Sequence, residues 1–143
     1  MFEFISMINA INTNAMTLYF VLNNTINDVQ RDFNQAYPFL KIEFYKNIEP
    51  GFSRKLLTPM TSIRAAGLKR EGILELSDTM TVGQLEKTFK DNFGLNVQVS
   101  RKSGILWLET TRSDGWTLKQ QNEHGKELSQ KENSEKIDKN AFE

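Results

Sequence analysis

Two stretches of the chain share one grammar of apolar and polar positions. In the first, Thr17-Leu-Tyr-Phe-Val-Leu22 puts apolar residues on both faces of an extended run and predicts a central strand. Ile26, Val29, Phe33 and Tyr37 then recur at steps of three and four, one apolar stripe of a helix. Pro38 stops that helix, and Leu40, Ile42 and Phe44 alternate with Lys41, Glu43 and Tyr45 as a strand does. In the second stretch, Gly72-Ile-Leu-Glu-Leu76 is a short strand and Thr81-Val-Gly-Gln84 a capping box. Val82, Leu85, Phe89 and Phe93 repeat the helical stripe, Gly94 ends it, and Leu95, Val97 and Val99 alternate into a strand. A shift of 56 positions lays Ile26 on Val82, Val29 on Leu85, Phe33 on Phe89 and Tyr37 on Phe93. A duplication would produce this match, and so would two β-α-β units answering one packing requirement. The second account needs no shared history. By their place in the stripes, Phe33, Phe89 and Phe93 are expected in the core.

Beyond the second unit, Ser103-Gly104 reads as a turn, so Leu95–Val99 is expected to pair antiparallel with Ile105–Thr110. Asp114-Gly115 makes another turn, and Thr117-Leu-Lys-Gln120 caps a last helix that sends Trp116, Leu118 and Leu128 toward the core. The order predicts an α+β fold: a mixed sheet with helices on one face, two β-α-β units, and a C-terminal hairpin strand and helix. A ferredoxin-like arrangement is the economical form.

Phe93-Gly-Leu-Asn-Val-Gln-Val-Ser-Arg-Lys-Ser-Gly104, Trp107-Leu-Glu109, Asp114-Gly-Trp-Thr-Leu118 and Tyr37-Pro-Phe-Leu-Lys-Ile-Glu-Phe44 together resemble a family of small bacterial proteins of uncharacterised function, seen mainly among Bacteroidetes. The resemblance runs from about Met16 to Leu128 and implies a stable bacterial domain, with no activity, ligand or site residue attached. It divides the chain into a lead-in at 1–15, one α+β domain at 16–128 and a flexible polar tail at 129–143. The lead-in holds Phe2, Phe4, Ile5, Met7, Ile8 and Ile11 without Lys or Arg, which fits neither a secretory signal nor a membrane span of ~20 apolar residues. The tail alternates Lys and Glu, with Leu128, Ile137 and Phe142 as its few apolar residues near or within it, and predicts a frayed helix passing into disorder.

Composition narrows the chemistry. The 143 residues carry 18 Lys+Arg against 18 Asp+Glu, which removes the strongly basic signature of a dedicated nucleic-acid binder. No cysteine means no disulfide, thiolate nucleophile or zinc knuckle, and a single His rules out sites built on two imidazoles. His124, placed near the expected end of the last helix, reads as a dipole cap more readily than as a general base. Asp28 and Asp32 lie four apart with Arg31 between them, a solvated face rather than a cation site. Glu86 and Lys90 read as an i,i+4 ion pair. The glycines form neither a P-loop nor a dinucleotide fingerprint. No catalytic constellation is recognisable, and neither metal nor cofactor is called for.

Positive charge is concentrated in one region. Between Glu49 and Glu71 there is no acid, while Arg54, Lys55, Arg64, Lys69 and Arg70 stand there, and Arg101 and Lys102 adjoin the hairpin turn. Thr61-Ser-Ile-Arg-Ala-Ala-Gly67 predicts a short helix within the connector. If connector and hairpin meet, these seven cations form an anion- or partner-binding patch; if they do not, they are solvated charges. Single-strand binding would also need aromatics on a sheet face, for which Tyr19, Tyr45 and Trp107 are the candidates. The expected function is a non-enzymatic, cytoplasmic protein-interaction or adaptor module, with a homodimer among its possible assemblies. The alternative is a nucleic-acid-binding accessory protein using residues 50–70 and the 101–104 hairpin tip.

Overall fold

Four hydroxyl side chains start the four helices found among the described residues. Thr25, Ser62, Thr81 and Thr117 each accept a hydrogen bond from the backbone N–H three residues on, at 3.0–3.4 Å. The computed structural model describes residues 16–48 and 53–141, with the backbone alone at residues 48 and 132–141. Its elements are β1 (Met16–Phe20), α1 (Ile26–Ala36), β2 (Leu40–Ile48), β3 (Ser53–Leu56), α2 (Ile63–Ala66), β4 (Gly72–Leu76), α3 (Val82–Phe93), β5 (Asn96–Ser103), β6 (Leu106–Glu109), a 3-10 turn (Thr111–Ser113) and α4 (Leu118–Ala141). The fold is α+β. None of the described helices is long and apolar enough to cross a membrane.

The strands form two sheets rather than one, and every pairing is antiparallel. One is the ribbon β1-β4; the other has the order β3-β2-β5-β6. The mixed, ferredoxin-like sheet expected from two β-α-β units is therefore not what the chain builds. Each unit sends its first strand to the ribbon and its second to the larger sheet. Nor is β1 a central strand. Leu18 and Phe20 are buried, but Tyr19 on the other face is 56% exposed beside its partner Ile73, because β1 lies in a two-stranded ribbon and not inside a wider sheet. The hairpin is present with a shifted register. Ser100–Ser103 pair with β6, whereas Asn96–Arg101 pair with β2.

The two halves are related by an approximate internal twofold. In the ribbon Leu18 faces Leu74, its equivalent at a spacing of 56, and in the large sheet Ile42 faces Val99, at a spacing of 57. The helix starts obey the same relation. Thr25 bridges Ser62 and Thr81 bridges Thr117. Ile26 donates to Thr61 O and Ile63 to Asn24 O at 2.9 and 2.8 Å; Val82 donates to Trp116 O and Leu118 to Met80 O at 3.1 and 2.8 Å. Each pair of helices thus satisfies backbone N–H groups that a lone helix start leaves open. The repeat is β-α-β-β-α, one strand and one helix longer than the apolar pattern alone reveals.

Between ribbon and sheet lies the core. Phe20 packs edge-on against Phe89 at 5.3 Å and beside Phe93 at 4.3 Å, and Phe89 meets Phe44 at 6.0 Å. Phe33, Phe89 and Phe93 are all buried, as their stripes predict. The outer edges of β2 and β5 are only half covered by β3 and β6, and the helices cover the remainder. Gln30 and Asn34 of α1 donate to Ile42 O and Leu40 O, each at 2.9 Å.

α4 departs most from expectation. It runs without a break to Ala141, so His124 stands in its early turns and not at its end. The face it turns to the sheet holds Leu118, Gln121, Gly125 and Ser129, mostly polar or small, which is why no apolar stripe announces it. Trp116 is 42% exposed instead of buried and lies against His124, with ring centroids 5.4 Å apart. Gly125 is a contact point. A Cβ there would lie 2.9 Å from Phe39 Cβ and 3.1 Å from Phe39 O. Gly125→Ala should therefore destabilise the fold by about 1–3 kcal/mol through overpacking, despite the roughly 1 kcal/mol that helix propensity favours Ala. Urea unfolding of the variant checks this, and a rise in stability would show that α4 sits loosely on β5.

Candidate functional site

Gly104 and Ile105 turn β5 into β6, with Gly104 at φ 64°, the left-handed region that a two-residue hairpin turn needs and glycine enters without a Cβ penalty. The pairing from Ser103 opposite Leu106 to Ser100 opposite Glu109 leaves β6 as an edge strand of the large sheet. Thr110 N–H donates to Val99 O, so in this alternating ladder Trp107 and Glu109 point their backbone groups away from β5. Ile105, Leu106 and Leu108 are 78%, 61% and 42% exposed along this edge. The opposite edge is built differently. β3 reads Ser53-Arg-Lys-Leu56, and its two cations discourage pairing with another chain. β6, Leu106-Trp-Leu-Glu109, carries one acid and no Lys, Arg or Pro.

Strand alternation puts Lys41, Glu43, Tyr45, Gln98, Ser100 and Trp107 on the outer face of the large sheet, away from Ile42 and Val99. Two charged side chains roof it. The Arg54 guanidinium lies 4.3 Å from the Tyr45 ring centroid and 3.3 Å from Glu109 Oε1, joining the two edge strands across the sheet. Lys41 Nζ lies 5.1 Å from the Trp107 ring and 2.8 Å from Glu43. Gln98 and Ser100 are buried on this face. Burial, with Glu43 next to it, raises the Tyr45 phenol. Tyr45 and Trp107 thus share a sheet face, as a stacking platform requires, but each ring already carries a cation. Tyr19 is on the other sheet, paired with Ile73.

The seven cations singled out in the sequence are dispersed. Arg54 and Lys102 belong to the outer face. Lys55 stands opposite Lys46, whose Nζ donates to Ala65 O at 3.4 Å, next to Arg64 on α2. Lys46 precedes the acid-free connector and so escapes a search confined to it. Lys69 and Arg70 cap the end of α3, through the Lys69 N–H on Phe93 O and the Arg70 Nε on Asn92 O, both at 2.9 Å. Arg101 points inward, where Nη1 donates to Gln121 Oε1 at 2.8 Å beneath α4 and burial lowers its pKa. Connector and hairpin therefore do not present these residues on a single surface.

Of the carboxylates, Asp28 accepts from the Thr25 N–H at 2.9 Å and pairs with Arg31, which holds its pKa below the usual range. No cluster of metal-ligating side chains occurs among the described residues. The ion pair of α3 is Lys87–Asp91 at 2.7 Å rather than Glu86–Lys90. Glu86 instead turns toward β5, where the Val99 N–H binds its carboxyl, in the position that Gln30 holds on α1. It lines a cleft of about 490 Å³ with Tyr45, Arg54, Lys90 and Asn96. A second cleft, of about 470 Å³, is lined by Lys41, Leu56, Leu57, Pro59 and Trp107. Comparison with protein-family models, curated proteins and solved structures finds no match to this chain. The surfaces themselves are therefore the guide to function.

Burial pushes Glu86 from its ordinary 4.5 up to about 7, against the Val99 hydrogen bond and with Asp114 adding to the rise. Between these values the folded chain holds a proton that the unfolded chain has released, so this group's contribution to stability is full below 4.5 and declines as pH rises to 7. Glu86→Gln should leave stability nearly unchanged at pH 4 and raise it at pH 8, on the order of 1 kcal/mol after discounting for solvent at the half-exposed carboxyl. Urea melts at the two pH values test it, and an equal change at both would refute the assignment.

Proposed function

We propose that this chain is a non-enzymatic protein-interaction module that takes its partner along the β6 edge of the large sheet. The observation that carries the proposal is the exposure of Ile105, Leu106 and Leu108 beside backbone groups that no described residue pairs, on the one edge of that sheet without a basic residue. An added strand would gain main-chain hydrogen bonds from Trp107 and Glu109 and apolar contact from the leucines. Exposed apolar side chains grouped in this way mark contact surfaces more often than isolated ones do. The nucleic-acid alternative has less support, since its cations are dispersed and its aromatic rings are occupied.

The test is affinity purification from the native cell with mass spectrometry, with and without nuclease, using the wild-type chain and a Leu106→Lys, Leu108→Lys double variant. Both positions are exposed, so the variant should fold with a change of about 0.5 kcal/mol or less per site. A partner that survives nuclease and is lost in the variant is the expected outcome. A partner retained by the variant places the interface elsewhere. One released by nuclease returns the case to nucleic acid.

A further inference from the structure

We infer that the strand accepted by the β6 edge is β6 of a second copy of this chain, paired antiparallel about Leu108; the inference rests on the interaction reading above. The edge is short, because the turn at Thr111–Ser113 carries the chain away after Glu109, and this limits the registers a second copy can use. The outward backbone groups belong to Trp107 and Glu109. A twofold through Leu108 sets Trp107 opposite Glu109 of the second copy and Glu109 opposite its Trp107, so the outward groups of both residues are satisfied in each chain. On the inner face the leucines at 106 and 108 of both copies then form one apolar strip, with the two Leu108 side chains in the centre.

Charge selects the same register. A twofold through Glu109 would place two carboxylates face to face, which is destabilising for a directly opposed pair. The twofold through Leu108 instead brings each Glu109 beside Trp107, whose ring carries Lys41 and whose β5 neighbour is Lys102. β3 cannot serve in the same way, since self-pairing there crowds the cations Arg54 and Lys55 of one copy against those of the other. A strip of this length buries less than an obligate dimer needs, so the assembly is reversible and concentration-dependent.

The chain has no cysteine, so single cysteines report the contact without background. In the purified protein, Leu108→Cys should oxidise to a covalent dimer, because residues opposite one another in a non-hydrogen-bonded pair lie about 4.5 Å apart at Cα, within disulfide reach. Leu106→Cys is more exposed but lies four residues from its own copy in this register, roughly 13 Å, and should remain monomeric under the same oxidation. Sedimentation velocity should show a reversible wild-type dimer. Glu109→Pro, which removes an outward donor and no bond to β5, should weaken that dimer at least about tenfold. Crosslinking at 106 as readily as at 108, or an unchanged dimer in the proline variant, would overturn the inference. A wild-type chain that stays monomeric throughout while the cellular partner still depends on Leu106 and Leu108 would overturn the second copy alone. Loss of both results would remove the interaction reading as well.

Discussion

Everything in this molecule hangs on the antiparallel contact of β2 with β5, where Ile42 meets Val99. The two strands are the centre of the large sheet and come from opposite halves of the chain. Their inner residues floor the core, and their outer edges decide what the helices must do. α1 reaches the exposed carbonyls of β2 with Gln30 and Asn34, and α3 sends Glu86 to the matching N–H of β5. The same arrangement is thus solved twice with different chemistry. On α1 the solution is a neutral amide that titrates at no accessible pH. On α3 it is a carboxyl whose burial makes it sensitive to the pH of its surroundings.

Much of the fold was legible before any coordinates. The stripes of α1 and α3, their stops at Pro38 and Gly94, the capping residues Thr81 and Thr117, and the short helix after Ser62 all follow from local chemistry that acts within a few residues. What local chemistry does not encode is which strand lies beside which. Tyr19 and Val21 look like core residues because a strand with two apolar faces is ordinarily central, and only the ribbon topology leaves Tyr19 in the open. β3 was hidden by Arg54 and Lys55, whose polarity reads as a loop and is in fact what a sheet edge tolerates. The length of α4 is concealed for the opposite reason. Its buried face is Gln121, Gly125 and Ser129, so no apolar stripe marks where the helix runs.

The candidate surfaces were legible in part. The hairpin turn and its apolar flank were visible as Gly104 followed by Ile105, Leu106 and Leu108, and the acid-free connector was visible as a run of cations. Counting charges along a sequence cannot tell whether they converge. Arg101 and Lys102 are neighbours in sequence, yet strand alternation sends one beneath α4 and the other to the outer face. Glu86 reads in sequence as a partner for Lys90, because spacing along a helix says nothing of the strand edge lying next to it.

The internal twofold also governs how the chain must be made. Among the described residues β1 finds its sheet partner in β4 and β2 its longest one in β5, each more than fifty residues further along. The first half therefore leaves a ribosome with both of its sheets unfinished, and Leu18, Phe20 and Phe44 wait exposed until their counterparts are synthesised. Contacts of such sequence separation slow folding, because the entropy of closing the chain is lost before the contacts form. Completion of this domain is thus a late event in its own synthesis, with the second half acting as the template on which the first one closes.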